Sequence, residues 1–503
     1  MNRKKLLALN TSSSLIFQLT TIICGFIVPR LILQTYGSEV NGLINSITQF
    51  LSIIAFLELG VGAVIQSSLY KPLAEKDDKE ISKIVVSGQK FFSRLAKILL
   101  VYVVILMGFY PFIAKSNYGL LYSSTMILVL SISSFAQYYF GIVNSLLITA
   151  NQRGYFSFSI QTVTLILNTI ACFVLIKLSA SIHLVKLTTS LIYLIRPLIL
   201  SIYVKRNYNI DWKIKYTGEP IKQKWNGIAQ HVAAIILDGT DNIVLTIFSG
   251  LQAVSIYSIY NLVVSGVKTL LLSMTNGIQS LMGEMLAKNE LEKLRKFFGW
   301  VEWSIHTGTI FIFGVTSVLI VPFVAIYTAG IHDANYIQPV FSIIIVTANA
   351  GHCLRLPYNL LILAGGHYKE TQSNYVVASI LNIVISIVLV NFLGLVGVAI
   401  GTLVAMLYQT IWMAIYDSKN LINWPFKKFL RQFMVDMITV IIIVLIGKFI
   451  IIDDFTWLNW ISYSVKITFL SGVVILLINL LFYRIYVNAI FKKIVSMLNR
   501  KDK

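Results

Sequence analysis

The stretch IILDGTDNIVLTIF, residues 235–248, sets two carboxylates, Asp238 and Asp241, three residues apart inside an apolar run. On a helix that spacing puts both on one face. Two acids so placed can bind a proton or a sodium ion, or can neutralise a base nearby. Four cations lie in similarly apolar surroundings: Arg30, Arg196, Lys268 and Arg355. A guanidinium stays protonated and offers bidentate contacts to an anion, whereas an ammonium is a point charge. Internal ion pairing and snorkelling to the headgroups compete with a functional role at each of these cations. Glu58 and Glu284 are the remaining acids that stand out within apolar segments.

The elements that must carry these groups are membrane helices. The 503 residues are 57% hydrophobic and 12% charged, with a mean hydropathy of +0.78. A soluble chain carries about 25% charged residues, so the class is an all-α polytopic membrane protein. Continuous apolar runs exclude a barrel, whose strands alternate, and lipid requires helices to satisfy the backbone. Fourteen crossings are predicted, at 9–33, 41–66, 96–114, 119–149, 157–176, 183–204, 228–250, 253–286, 303–328, 336–365, 371–391, 394–416, 431–452 and 460–486. The first apolar run has no small-residue cleavage site and reads as crossing one rather than a signal peptide. Cys24, Cys172 and Cys353 lie within apolar segments without ligand spacing and read as packing residues.

The net charge of +20 follows the crossings. Of 41 Lys and Arg, 32 fall on one side and four within crossings. Five (Lys115, Lys177, Lys186, Lys448, Lys466) lie on or near the other side. That asymmetry puts both termini in the cytoplasm and assigns the charge to orientation and to anionic membrane lipids, not to nucleic acid. The polar segments Tyr70–Arg94 and Lys205–Trp225 read as lipid-touching connectors.

An internal repeat organises the chain. A shift of 213 residues places Ile65-Gln66-Ser67 on Ile278-Gln279-Ser280, Gly37 on Gly250, Ala74 on Ala287 and Lys83 on Lys296. A shift of 214 places Leu146-Leu147-Ile148 on Leu360-Leu361-Ile362, Ala150 on Ala364 and Asn168 on Asn382. Six crossings per repeat, an even number, imply two pseudo-symmetric six-helix bundles related by an axis along the membrane normal. The divisions are 1–204, a six-helix amino-terminal lobe; 205–227, a cytoplasmic linker; 228–416, a six-helix carboxyl-terminal lobe; and 417–503, two further helices with a basic tail. Topology then places Asp238 and Asp241 near the middle of crossing seven. Ile228–Leu237 alone would make only about 15 Å of helix, half a bilayer, and local unwinding is expected at Gly239. The equivalent positions in crossing one are Gly25 and Val28, with Arg30 close by.

The run FIVPRLILQTYGSEVNGLINSITQFLSIIAFLELGVGAVIQSSLYKPLAEKD and the segment DNIVLTIFSGLQAVSIYSIYNLV resemble Wzx-type polysaccharide flippases of the MOP/MATE-like exporter superfamily. That superfamily also holds lipid II flippases and multidrug antiporters. The resemblance covers the whole chain. It implies a transporter in the bacterial cytoplasmic membrane that moves an undecaprenyl-pyrophosphate-linked oligosaccharide to the outer leaflet by alternating access. Capsule, O-antigen or teichoic acid synthesis would use it, beside a polysaccharide polymerase and glycosyltransferases. It also implies that crossings one, two, seven and eight line a central cavity. Arg30 and Lys268, then Arg355, would thereby hold pyrophosphate or sugar, and Asp238 and Asp241 would take a coupling proton or sodium ion. The alternative for those acids is an ion pair with Lys268.

Other readings are weaker. A membrane glycosyltransferase or polymerase would need an acidic metal pair or a large external loop, and the nearest pair, Asp453-Asp454, sits in a short connector. No phosphate-binding loop or HExxH motif is present, so no catalytic residue, metal or cofactor is expected. A cation-coupled multidrug antiporter is the main alternative, disfavoured by the interior cations. His306 and His352 read as packed or pore-lining groups, and Tyr110, Trp300, Trp303, Trp457 and Trp460 as interfacial anchors. Tyr257 and Tyr260 are candidates for stacking on sugars.

Overall fold

The computed structural model describes residues 3–58, 60–114, 118–216, 218, 228–275, 277–450 and 454–498. Lys115, linker residues 219–227, Asp453, the tail beyond Leu498 and the Asp238 side chain lie outside the described residues. The described chain is helical throughout, without a strand. In order the helices are α1 Arg3–Ser52, α2 Val61–Glu75, α3 Asp78–Ile113, α4 Leu120–Ala136, α5 Ile142–Ala150, α6 Gly154–Lys177, α7 Ile182–Asn207, α8 Ile228–Phe248 and α9 Leu251–Met274. They continue with α10 Ile278–Ala287, α11 Leu291–Tyr327, α12 Pro339–Leu354, α13 Leu356–Ala364, α14 Tyr368–Leu393, α15 Leu395–Asn420, α16 Phe426–Phe449, α17 Trp457–Phe482 and α18 Arg484–Leu498.

Among the described residues, 12 helical spans are long and apolar enough to cross a membrane. The first, Ala8–Glu58, holds two segments joined at Gly37, whose φ of 84° breaks the helix. With α8, a further apolar helix of 21 residues, this accounts for fourteen crossings. Large apolar side chains lie exposed along the spans, among them Phe109, Phe112, Phe392 and Leu481. Such exposure suits a lipid environment and is costly in water. The chain is a multi-pass membrane protein.

Several boundaries differ from expectation. Tyr70–Arg94 is no separate connector. After a turn at Lys76, the Asp77 carboxylate accepts hydrogen bonds from the Lys79 and Glu80 backbone N–H groups. That cap starts α3 well before crossing three, because polar residues extend a helix freely once it leaves lipid. A final helix, α18, was not anticipated. Nor does Gly239 unwind: α8 is continuous through it, and a Cβ there would lie 2.5 Å from the Gln49 amide nitrogen. The glycine serves close packing.

The internal repeat is written into the backbone. Left-handed residues recur at the same shifts: Gly37 and Gly250, Lys76 and Asn289, Gln152 and Gly366. Helix starts recur too, α3 with α11 and α7 with α15 at 213, α6 with α14 at 214. The π turn at Gln137–Gly141 falls, at 214, on the break at Arg355 between α12 and α13. In the last helix of each repeat, IYVKRN (202–207) lies under IYDSKN (415–420), again at 213.

By contacts the chain separates into two compact units, Met1–Ser258 with Gly330–Ala334, and Ile259–Ala329 with Asn335–Lys503. Within the first, α3 packs on α4, α6 on α7, α4 on α7 and α2 on α5, while α1 packs on α6 and α8. Ser46 and Thr246 hydroxyls meet at 2.7 Å, and the Asp333 carboxylate accepts from the Ser38 N–H and hydroxyl, both at 2.6 Å, where the helix restarts. Within the second, α11 packs on α12, α14 on α15, α12 on α15 and α10 on α13. These are the repeat-related pairs. The second unit adds α16 and α17, both against α11.

Candidate functional site

The first unit holds a partly open cavity of about 590 Å³, lined by residues of α1, α4, α6 and α7. Backbone irregularities surround it. Pro29 has no N–H to bond the Gly25 carbonyl, and Pro197 none for Tyr193; Gly25, Pro29 and Tyr193 all line the space. The π turn contributes Tyr138, and such bulges recur at functional sites. Lys186 lines the cavity and is 8% exposed. Sequence topology counted it with the loop charges because crossing six begins only three residues earlier. The fold draws α7 inward at that point, so Lys186 is an interior cation that the loop count missed.

Arg30 is half-buried on α1, directly after the lining residues Val28 and Pro29. Arg196 donates to the Thr164 hydroxyl at 2.6 Å and lies 4.0 Å from the Tyr193 ring centroid. This cation therefore backs a ring of the cavity wall. Glu58 ends a 3₁₀ turn beside Tyr138, half-buried. Asp241 is 6% exposed and accepts a 2.7 Å hydrogen bond from the Tyr257 hydroxyl. Tyr260 is fully buried, its hydroxyl donating to the Tyr336 carbonyl at 2.8 Å. Both tyrosines are thus engaged in packing, which leaves neither ring free as a sugar platform.

In the second unit, Lys268 and Arg355 both act electrostatically on the His352 ring and on Cys353. Arg355 is buried at the α12–α13 break, donates to the Gln409 side chain, and lies 3.3 Å from His352 Nδ1 and 5.8 Å from the Tyr375 ring centroid. Its position follows from Pro357, which favours a break here. Glu284 is a correction: its exposed carboxylate pairs with Lys288 one turn on, a surface position rather than an interior one. The pair holds the Lys288 ammonium above its ordinary value, through the hydrogen bond first and then the charge.

A second group of interior acids escaped the sequence. Glu302 of α11 accepts from the Tyr358 hydroxyl at 2.7 Å and the Trp424 indole at 3.0 Å. His306 meets Asp436 of α16 at 2.6 Å, and Gln432 donates to the same carboxylate at 2.9 Å. Asp417 of α15 is 1% exposed. Predicted crossing nine begins one residue after Glu302 and crossing twelve ends one residue before Asp417, which hid both; Asp436 lay inside crossing thirteen and carried no motif. Trp303 and Tyr110 are not interfacial. Trp303 donates to Asn479 at 2.6 Å, and Tyr110 donates to Ser46 at 2.8 Å, both buried, because each faces a neighbouring helix rather than the headgroups.

Fold and interior together define a multi-pass, all-helical membrane protein built from a six-helix repeat, with fixed charges inside its helix bundles. Solved transporters of the MOP superfamily share this fold. A structure described as the lipid II flippase MurJ in an inward closed conformation aligns with a TM-score of 0.71 at 15% identity, covering 94% of this chain and all of that one. An inward-facing MATE-family multidrug resistance transporter aligns at 0.59 and 15% identity, covering 79% of this chain and 94% of its own. A MOP superfamily transporter from Pyrococcus furiosus, described as having a binding pocket of reverse polarity, aligns at 0.58 and 13% identity, covering 83% and 96%. No protein-family model matches the sequence, and no curated protein does.

Proposed function

We propose that this protein flips an anionic, lipid-linked saccharide across the bacterial cytoplasmic membrane, an undecaprenyl-pyrophosphate-linked repeat unit destined for a surface polysaccharide. The observation that carries the reading is the set of cations held inside a transporter fold: Arg355 buried beside His352 in one unit, Lys186 in the cavity of the other. Holding an ammonium or guanidinium in a low-dielectric interior costs several kcal/mol unless something compensates it. A pyrophosphate group compensates such charge in the loaded carrier. A carrier of cationic drugs has the opposite requirement. The structural neighbour described as a lipid II flippase supports the same class here.

Alternating access supplies the mechanism: fixed cations bind the headgroup, and the saccharide passes through the polar interior while the lipid tail stays in the bilayer. Asp241, with Asp238 one turn before it, is the candidate for a coupling proton or sodium ion. The test is flipping of lipid-linked oligosaccharide by reconstituted protein, with and without proton and sodium gradients. Lys268→Ala and Arg355→Ala should each slow flipping about tenfold or more, the scale of a lost charge-assisted hydrogen bond. Absence of translocation of any such lipid under every gradient would overturn the proposal.

A further inference from the structure

The cavity of the first unit is partly open, and its mainly apolar wall carries a cluster of polar side chains around one cation. Its volume of about 590 Å³ lies within the range of small-molecule pockets, about 300–1,000 Å³. Its charge is one-sided. Lys186 is the lining cation, and none of the lining residues is Asp or Glu. Lys186 makes no hydrogen bond or ion pair with a described residue, the nearby Cys172 thiol being its electrostatic neighbour. The rest of the polar wall consists of hydroxyl and amide groups, including Ser133, Ser134, Asn168, Thr189 and Tyr193. Asn168 donates to the Tyr193 hydroxyl at 3.3 Å, and the same ring carries Arg196 on its face. The Ser133 and Ser134 hydroxyls bond to no described residue.

We propose that this cavity is a binding site for a phosphate or pyrophosphate group flanked by sugar hydroxyls, with Lys186 as its anion-binding residue and Ser133, Ser134 and Asn168 contacting the hydroxyls. An ammonium buried without a carboxylate is expensive, and an anionic ligand removes that cost, while hydroxyl and amide neighbours both give and take hydrogen bonds from a sugar. The cavity has room for both parts. Roughly twenty waters would fill it, at about 30 Å³ each. Only the identity of the lipid rests on the flippase reading; the anion site itself does not.

The experiment is equilibrium binding to the full-length protein in phosphatidylcholine nanodiscs, with inorganic pyrophosphate as one probe and undecaprenyl pyrophosphate as the other. Wild-type protein should bind at least one of them; binding of the soluble probe alone assigns the site to a free phosphate compound, and binding of the lipid alone to a lipid headgroup. Lys186→Met should weaken binding at least about tenfold and Lys186→Arg should retain it, as expected for loss or retention of one charge-assisted contact. Ser134→Asp sets a carboxylate into the same cavity, and should raise the melting temperature while abolishing anion binding, so a folding defect cannot imitate the result. Failure of wild type to bind either probe, or equal affinity in Lys186→Met, overturns the site. Anion binding without flipping of any saccharide lipid leaves the site standing and removes the flippase; flipping with unaltered binding in Lys186→Met does the reverse.

Discussion

The two units pair the same helices and differ most where α7 and α15 pack. In the first, α7 leaves a cavity against α1, α4 and α6, with Lys186 at its wall. At the repeat shift of 213, Lys186 falls on Ala399 of α15, which is 2% exposed. Glycines flank that alanine. A Cβ at Gly397 would lie 2.4 Å from the Leu389 carbonyl oxygen, and one at Gly401 2.2 Å from the Ser386 hydroxyl. So α15 is pressed onto α14, where α7 stands off. One architecture has been used twice, once opened around a cation and once sealed by small residues. The sealed unit keeps its charges elsewhere, among them Arg355 at the α12–α13 break and the His306–Asp436 pair that fastens α16 to α11.

The sharpest test of this contrast exchanges its key residue. Ala399→Lys forces an unpaired ammonium into a closely packed interface, an effective penalty of several kcal/mol per ion; folded protein should disappear from size-exclusion profiles. Recovery of normal, monodisperse protein would mean that α14 and α15 are as open as α6 and α7. Next in size is the buried pair of the second unit. His306→Ala or Asp436→Ala should each cost about 3–5 kcal/mol by leaving the partner stranded, whereas joint replacement by leucines should restore much of the loss. Melting curves of the three variants decide it, and additive losses would mean that the two side chains do not act as a pair.

Smaller effects probe the packing alone. Gly401→Ala should cost about 1–3 kcal/mol through overpacking. Gly108→Ala on α3, where an added Cβ meets nothing within 4 Å, should be neutral or gain about 0.5–1 kcal/mol from helix propensity. Equal melting temperatures for the two would remove the argument from close approach. At the bottom of the scale, Glu284→Gln breaks an exposed ion pair and should leave the melting temperature unchanged within error, as surface pairs usually do.

Much of the architecture was legible in the chain because lipid leaves so few options. Apolar run length set the crossings, and the 213–214 residue repeat set the pairing of helices, which the backbone repeats down to its left-handed residues. Of the cations and acids singled out in the sequence, Arg355 and Asp241 are buried, as their apolar surroundings suggested. Glu302 and Asp417 were lost because hydropathy blurs helix ends by a residue or two, and an acid at a helix end looks like a loop acid until a neighbour covers it. Tyr110 and Trp303 failed for the related reason that an aromatic near a helix end can face either headgroups or another helix.

The sequence by itself determined that this is a membrane protein, how often it crosses, and that it is a duplicated bundle with charge inside. Those follow from local quantities: apolar length, charge per loop and the spacing of like residues. Only the tertiary structure decided which of the interior charges are satisfied. Partnership is a matter of distances across helices, so His306 found Asp436 and Arg355 found Gln409. Lys186, three residues into its crossing and counted with the loops, came to line a cavity.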